Sequence, residues 1–428
     1  MHRRAFLRLG TGAGLALSLG GCLTPSALEP EGSDEPYEPL GRVPVEGAAE
    51  AVVGDDNEIV YLAATDGFAT VDASDPTDPT VLAERRDLEV DGRSLTEILD
   101  VKVSDDRLVV PGPANPGDDE AFHGFVCYDV SDPANPVPAS EPYETGYHIH
   151  NCFLDGDTLY LVRNGAEGNP LVVFDVADDE PEELARWSIL EREPAWEDVE
   201  WRLQYLHDVT VHDDVAVLAY WNAGTHLLDV SDPADPRHLG GVVDPDVEIE
   251  DQRDLVGGAV DDAYFGLPGN DHYSALDDRG ELLAVGRESW ERGSDDPDGP
   301  GGIDLYDASD LTAPSLRAAI EAPPADDATY HGGTWTTAHN FELREGRLYS
   351  SWYQGGVKIH DVTDPADPVE LAWWRDPDEA GFWTARVLDE DVFVASSTPM
   401  IPNASTEGAL YTFPIREGEQ ADPPSLVD

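Results

Sequence analysis

Four histidines, His150, His207, His272 and His339, each stand at the start of a short run of alternating apolar residues. Imidazole is the side chain best suited to bind zinc, copper or iron, because a neutral ring nitrogen offers a lone pair at ordinary pH. Two more histidines, His148 and His331, lie near members of the set in sequence. Elsewhere, Asp295, Asp296 and Asp298 with Gly299 offer oxygens to calcium, but they fit no regular loop spacing and read first as a solvated acidic loop. Asn403-Ala-Ser405 has the pattern of an N-glycosylation acceptor. Cys127 and Cys152 fall in different strands of neighbouring repeats and are expected to be two buried thiols rather than a disulfide. Trp335, Trp352, Tyr353, Trp373, Trp374 and Trp383 crowd the C-terminal third, as packing between repeats or as a stacking platform for a glycan or peptide. The chain contains no Gly-x-Ser-x-Gly turn, phosphate loop, paired-cysteine zinc motif or dinucleotide fingerprint. No catalytic residue is therefore assigned, and whether the protein is an enzyme stays open.

The elements that would position these residues follow from one recurring phrase. It reads Val71-Asp72-Ala-Ser-Asp-Pro-Thr-Asp-Pro79, Tyr128-Asp129-Val-Ser-Asp-Pro-Ala-Asn-Pro136, Leu228-Asp229-Val-Ser-Asp-Pro-Ala-Asp-Pro236 and His360-Asp361-Val-Thr-Asp-Pro-Ala-Asp-Pro368, with degenerate copies at Asp175 and Asp307. A fixed phrase returning at intervals of tens of residues marks a repeat array. Proline lacks the ladder donor and fixes φ, so each Asp-Pro closes a strand. Residues 206–243 parse into four short strands: His207 to Val211, Val215 to Tyr220, His226 to Val230 and Arg237 to Val243. Four strands per unit and no sustained 3.6-residue period predict an all-β, seven-bladed β-propeller. The units span 48–83, 96–140, 147–190, 205–243, 271–321, 338–375 and 382–415. The last lacks a clear fourth strand, which residues 40–45 are expected to supply by pairing with 408–415 and closing the ring. The connections 191–204 and 244–270 and the insertion 291–302 are long, and function often sits in such loops.

First strands line the central channel of a propeller, so the four histidines are expected to form an arc at one channel mouth. Leu99 takes the slot in the second blade and Thr384 in the seventh, and the first blade is ambiguous near Ala51. Two readings of the arc stand. Each ring donates to a backbone carbonyl of a neighbouring blade, or the rings converge on a transition metal.

Leu171-Val-Val-Phe-Asp175, Thr225-His-Leu-Leu-Asp229 and Val357-Lys-Ile-His-Asp361, with their Ser-Asp-Pro or Thr-Asp-Pro ends, resemble the LVIVD repeat proteins. The resemblance covers nearly all of residues 45–415 and implies a propeller. It implies no reaction, because that family is defined by its repeat.

The N-terminus reads as an address. Arg3 and Arg4 precede an apolar stretch from Leu9 to Gly21, too short to cross a hydrocarbon core of about 30 Å. The arginine pair resembles a twin-arginine export signal, and Leu19-Gly20-Gly21-Cys22 resembles a lipoprotein box. Together they imply cleavage before Cys22 and lipid on its sulfur, which anchors the protein to the outer face of the cytoplasmic membrane. Residues 1–22 are then the signal, 23–39 an acidic tether, 40–415 the propeller and 416–428 a frayed acidic tail.

Lys+Arg number 25 against 89 Asp+Glu, a net charge of −64, and the only lysines are Lys102 and Lys358. Such a field repels phosphate backbones, so nucleic acid is not an expected partner. In concentrated salt the Debye length shrinks to roughly 3 Å at 1 M, and carboxylates can crowd a folded surface. A halophilic source of haloarchaeal type is expected. The function that follows is a lipid-anchored module at the cell surface that binds or scaffolds a surface protein, a glycan or a small molecule. The alternative is a metal-binding protein or metalloenzyme that uses the histidine arc.

Overall fold

The computed structural model describes residues 35–117, 119–165, 168–292, 299–402 and 404–427. Arg3, Arg4, Cys22, Asp295, Asp296, Asp298 and Asn403 lie outside the described residues. Seven antiparallel sheets are arranged in a ring, each ordered from an inner first strand to an outer fourth. The inner strands touch in sequence order: Ala51–Val53, Lys102–Ser104, Cys152–Asp155, Asp208–His212, Asp271–Leu276, Phe341–Arg344 and Phe382–Val387, the last returning to the first.

The second strand of each blade explains why the ring forms. Ile59–Ala63 and Val392–Ser397 are buried at every position. A strand sandwiched between neighbouring blades hides both faces, so its sequence is continuously apolar rather than alternating. The core clusters accordingly mix residues of adjacent blades. Val109, Phe125 and Cys127 of blade two pack with Cys152, Leu159, Leu161 and Phe174 of blade three. Both cysteines are free, buried thiols, as expected. Outer strands face water on one side, and Ser315–Ile320 is exposed along most of its length.

The repeated phrase is a double turn that terminates strand three. Its first aspartate accepts from the backbone N–H two residues on and, where a hydroxyl is present, from that too: Asp229 takes Ser231 at 3.1 and 2.6 Å, and Asp361 takes Thr363 at 2.9 and 2.6 Å. The second aspartate caps the next turn in the same way, Asp310 from Thr312 at 3.0 and 2.7 Å. These bonds hold the carboxyls of Asp129, Asp229 and Asp361 below the usual range. The aspartates are turn-formers, not a reaction centre. A bulge recurs just before the phrase in five blades, between Thr70/Val71, Val173/Phe174, Leu227/Leu228, Leu305/Tyr306 and Ile359/His360.

Gly41–Pro44 supplies the missing outer strand of blade seven, antiparallel to Ala409–Pro414 with Gly41 opposite Thr412 and Pro44 opposite Ala409. Two expected boundaries move. Tyr37, placed in the tether, is fully buried, stacks on Phe413 and donates its backbone N–H to Glu419 at 2.9 Å. The tail does not fray: Gly418–Glu419 runs parallel to Val369–Trp374, and Gln420 exchanges bonds with the Arg375 backbone at 3.1 and 3.0 Å. Both segments bury apolar or backbone groups that an acidic composition hid. Among the described residues no helix is long and apolar enough to cross a membrane.

Removing residues 36–44 is expected to bare the edge of Ala409–Pro414 and lower stability by roughly 3 kcal/mol or more, at about 1 kcal/mol per lost ladder bond. Urea unfolding in concentrated KCl checks this, and an unchanged midpoint refutes it. His360 gives a second test. It is 5% exposed with Nδ1 unpartnered, and burial, aided by Lys358, lowers its pKa to about 4. A folded-state pKa below the unfolded value of about 6.5 contributes stability that is complete above pH ~6.5 and disappears as pH falls toward 4, up to about 3 kcal/mol. His360→Gln should flatten the acid limb of stability against pH by that amount. Parallel curves for variant and wild type would refute it.

Candidate functional site

Pairing registers place equivalent residues of the blades in layers across the channel. Aligning each first strand on its partner puts His150, His207, His272 and His339 in one layer with Leu99 of blade two. Two assignments shift. Blade seven presents Trp383 there, not Thr384, because its first turn holds one residue more: Thr384 pairs with Ser396 and Val387 with Phe393, where blade four pairs Asp208 with Ala219 and Val211 with Ala216. Blade one presents Ala49, two residues before the strand position near Ala51.

The imidazoles do form an arc. Ring centroids are 4.3 Å apart for His150 and His207, 3.9 Å for His207 and His272, and 4.5 Å for His272 and His339. Trp383 continues it at 4.3 Å from His339. The arc then divides chemically. His150 Nδ1 donates to the Ala114 carbonyl of blade two at 3.1 Å, and His339 Nδ1 to the Trp383 carbonyl of blade seven at 2.5 Å. These are the neighbour-blade bonds of a structural histidine. Nδ1 of His207 and Nδ1 of His272 are buried without a partner. Burial lowers all four, to about 4 for His150, to about 3 for His339, and well below the ordinary value for the central pair, so all are neutral at pH 7. His148 lies aside, its Nε2 3.3 Å from Tyr205 Oη, and His331 is exposed beside Tyr330.

A second layer, one or two residues beyond the end of the second strands, was not legible as a slot. It holds Trp221, Glu288 and Tyr353 in blades four to six, as the second-strand registers show. Trp221 and Tyr353 have φ of +46° and +48°. For bulky side chains this left-handed geometry costs of order 1–3 kcal/mol and is found where surrounding structure fixes a working group. Each is pinned by a bridge to the next blade, Trp221 to Asp271 and Tyr353 to Phe382. Glu288 is 8% exposed, accepts a short hydrogen bond from Tyr353 Oη, and has Oε2 3.5 Å from His272 Nε2. Burial pushes its pKa up to about 7 against the opposing effect of the Tyr353 bond. Glu288 follows a strand end with no repeating neighbour, so sequence periodicity carried no signal for it. Aligning the turns after strand two would have exposed it.

The long connections roof this mouth. The 244–270 connection contains the helix Gly258–Phe265, which brings Tyr264 over Trp221 with centroids 5.1 Å apart; Trp221 Nε1 donates to the Tyr264 carbonyl at 3.0 Å. Phe265, Trp290, Tyr330 and Trp335 pack tilted or edge-on against one another, with centroids 4.3 Å apart for Phe265 and Tyr330 and 4.8 Å for Trp290 and Trp335. The result is a cavity of about 260 Å³ with imidazoles and Glu288 at its base and aromatic rings at its rim. Of the C-terminal aromatics, Trp335, Tyr353 and Trp383 belong to this cavity. Trp352 and Trp374 are packing residues between blades, and Trp373 lies under Arg375 at 4.6 Å.

Beneath the imidazoles the channel is plugged by charge. Glu50, 1% exposed, accepts from Asn340 at 2.7 Å, Thr384 at 2.5 Å and Arg386 at 2.8 Å, with Lys102 at 3.8 Å. Burial alone would raise its pKa; Lys102 and Arg386 override that and hold it low. Lys102 also pairs with Asp100, whose other oxygen accepts from the Cys152 N–H at 2.8 Å. Burial pushes Asp208 in the same layer well above the carboxylate range. One of the chain's two lysines thus lies inside the ring rather than on its surface.

The LVIVD repeat model matches residues 205–244. That segment is the blade that carries His207 and Trp221. A comparison with curated proteins finds no match. Among solved structures the chain is similar to the Cps50 (Swd1) β-propeller domain of Myceliophteria thermophila, at 8% identity and TM-score 0.57 over 88% of this chain and 99% of that one. It is also similar to the RRP9 WD40 repeats, at 10% identity and TM-score 0.58 over 89% and 99%. At such identities the likeness is one of fold. The chain is a β-propeller with an LVIVD repeat.

Glu50→Gln is expected to cost about 3–5 kcal/mol, because it leaves Lys102 and Arg386 buried with too little counter-charge. Equilibrium urea unfolding checks it, and a loss below about 1 kcal/mol would show that the plug carries little stability.

Proposed function

We propose that the protein is a binding module held by lipid on Cys22 at the outer face of the membrane, with the roofed channel mouth as its ligand site. The observation that carries this reading is the 260 Å³ cavity, whose floor is built from four neutral imidazoles and a buried carboxyl and whose rim is aromatic. Pockets that hold small ligands are concave, largely apolar and furnished with few convergent polar groups. Two strained aromatic or hydroxyl-bearing residues, Trp221 and Tyr353, are fixed toward the same space. Net charge of −64 favours a neutral or cationic small molecule over a polyanion. The export signal, lipid site and acidic surface support placement on the outside of a salt-adapted cell. A second reading, that a transition metal occupies the same floor, is favoured by the unpartnered Nδ1 atoms of His207 and His272.

Native mass spectrometry of the protein isolated from the cells that export it tests the site. Wild type should carry an added mass that Leu99→Trp, which fills the floor from blade two, reduces at least tenfold in occupancy. Lipid mass should vanish in Cys22→Ala. An empty wild type, or an adduct that survives Leu99→Trp, overturns the pocket assignment, and an unlipidated wild type overturns the anchor.

A further inference from the structure

The four-histidine arc is not uniform, and its asymmetry indicates where an ion would sit. The outer two rings, His150 and His339, are tied to carbonyls through Nδ1. The inner two, His207 and His272, are 6% and 2% exposed and have the closest ring approach of the set, 3.9 Å. Two neutral aromatic rings side by side, each with an unsatisfied buried nitrogen, leave desolvated polar atoms without partners. Glu288 adds a carboxyl on the other edge of His272: its Oε2 lies 3.5 Å from Nε2, so Nε2, not the unpartnered Nδ1, is the His272 atom that shares space with the carboxyl.

We infer that His207, His272 and Glu288 form a divalent transition-metal site of the His₂Glu type, distinct from a four-imidazole centre. One ligand atom from each residue lies within 4.8 Å of the other two. Bonds of about 2.0–2.2 Å to nitrogen and oxygen around one ion require ligand atoms roughly 3–3.5 Å apart, so a contraction of at most about 1.3–1.8 Å, within the reach of χ rotations, closes the set. The chemistry of the donor set, two imidazoles and one carboxylate, suits zinc above calcium or magnesium, which take oxygen ligands. Three protein ligands leave a fourth position, and the cavity lies beside the set, so the open position can take a water or a ligand atom from the pocket.

Tyr353 is the positioning residue. Its hydroxyl donates to Glu288 Oε1 and leaves Oε2 toward His272. Tyr353 is itself held by its left-handed backbone and its bridge to Phe382. Carboxylate ligands are commonly oriented by such an outer hydrogen bond, and its removal costs 10–100-fold in metal affinity.

The inference rests on the channel mouth being the ligand site, and its test separates the two. Full-length protein without a polyhistidine tag is stripped with a chelator and titrated with Co(II), then Zn(II), in concentrated KCl. Salt suppresses weak binding to surface carboxylates, and Co(II) on oxygen-only octahedral sites absorbs weakly, whereas a four-coordinate site with nitrogen ligands absorbs strongly. Wild type should bind one Co(II) per chain with the intense band, and Zn(II) should displace it. Glu288→Gln, nearly isosteric and able to keep the Tyr353 contact, should lower Co(II) affinity at least tenfold while circular dichroism stays native. Tyr353→Phe should lower it 10–100-fold with the band retained. Absence of an intense band in wild type, or a band that Glu288→Gln leaves unchanged, overturns the His₂Glu site. If the Leu99→Trp-sensitive adduct persists while no band appears, the pocket stands and the metal assignment alone falls.

Discussion

Everything in this molecule depends on mutual burial between blades. A single four-stranded sheet whose middle strands are apolar on both faces cannot hide either face alone. Docking to two neighbours hides both, and the ring is the arrangement in which no blade is left over. The pairing of Gly41–Pro44 with Ala409–Pro414 converts that docking from a stack with two raw ends into a closed circle. Closure gives every inner strand two neighbours, and so gives the channel a continuous wall on which side chains from all seven blades can meet.

The channel is layered in consequence. One position per blade supplies the imidazole arc, the next supplies Glu50, Asp100 and Asp208 with Asn340 and Thr384, and Lys102 and Arg386 supply the cations below them. A charged plug in a buried channel is poor at adding stability compared with an apolar one. It separates the cavity lined by the imidazoles from a second one lined by Lys102, Asp208 and Arg386. The same segregation keeps the acidic surface from dominating the site. Among the described residues most carboxylates face water or cap turns, while Glu288 sits among aromatic rings with its pKa raised to about 7 by burial.

Architecture was legible because it is written in local chemistry. Asp-Ser-Asp-Pro ends a strand by hydrogen bonds that span two or three residues, such as Asp229 to Ser231, and therefore it reads in a one-dimensional scan. The histidine slot was legible for the same reason, since His150, His207, His272 and His339 share a position relative to their own strands. Trp383, not Thr384, holds the slot because one extra residue in the turn after the first strand shifts any count made back from the second. Glu288 escaped entirely, because it belongs to a layer defined only by the neighbouring blades.

The sequence by itself determined that the chain is a ring of seven four-stranded sheets, where the third strand gives way to a turn in the blades that carry the Asp-Pro phrase, and which histidines come to one mouth. Those properties come from periodicity and from turns whose partners are close in the chain. Only the tertiary structure decided that two of the four imidazoles tie Nδ1 to neighbouring carbonyls while the other two leave Nδ1 unpartnered, and that a carboxyl and a tyrosine hydroxyl complete the floor. It also decided that Tyr37 and residues 418–420 belong to the folded body. Such outcomes are contacts between residues tens to hundreds apart, and they are set by how blades dock rather than by what any one blade encodes.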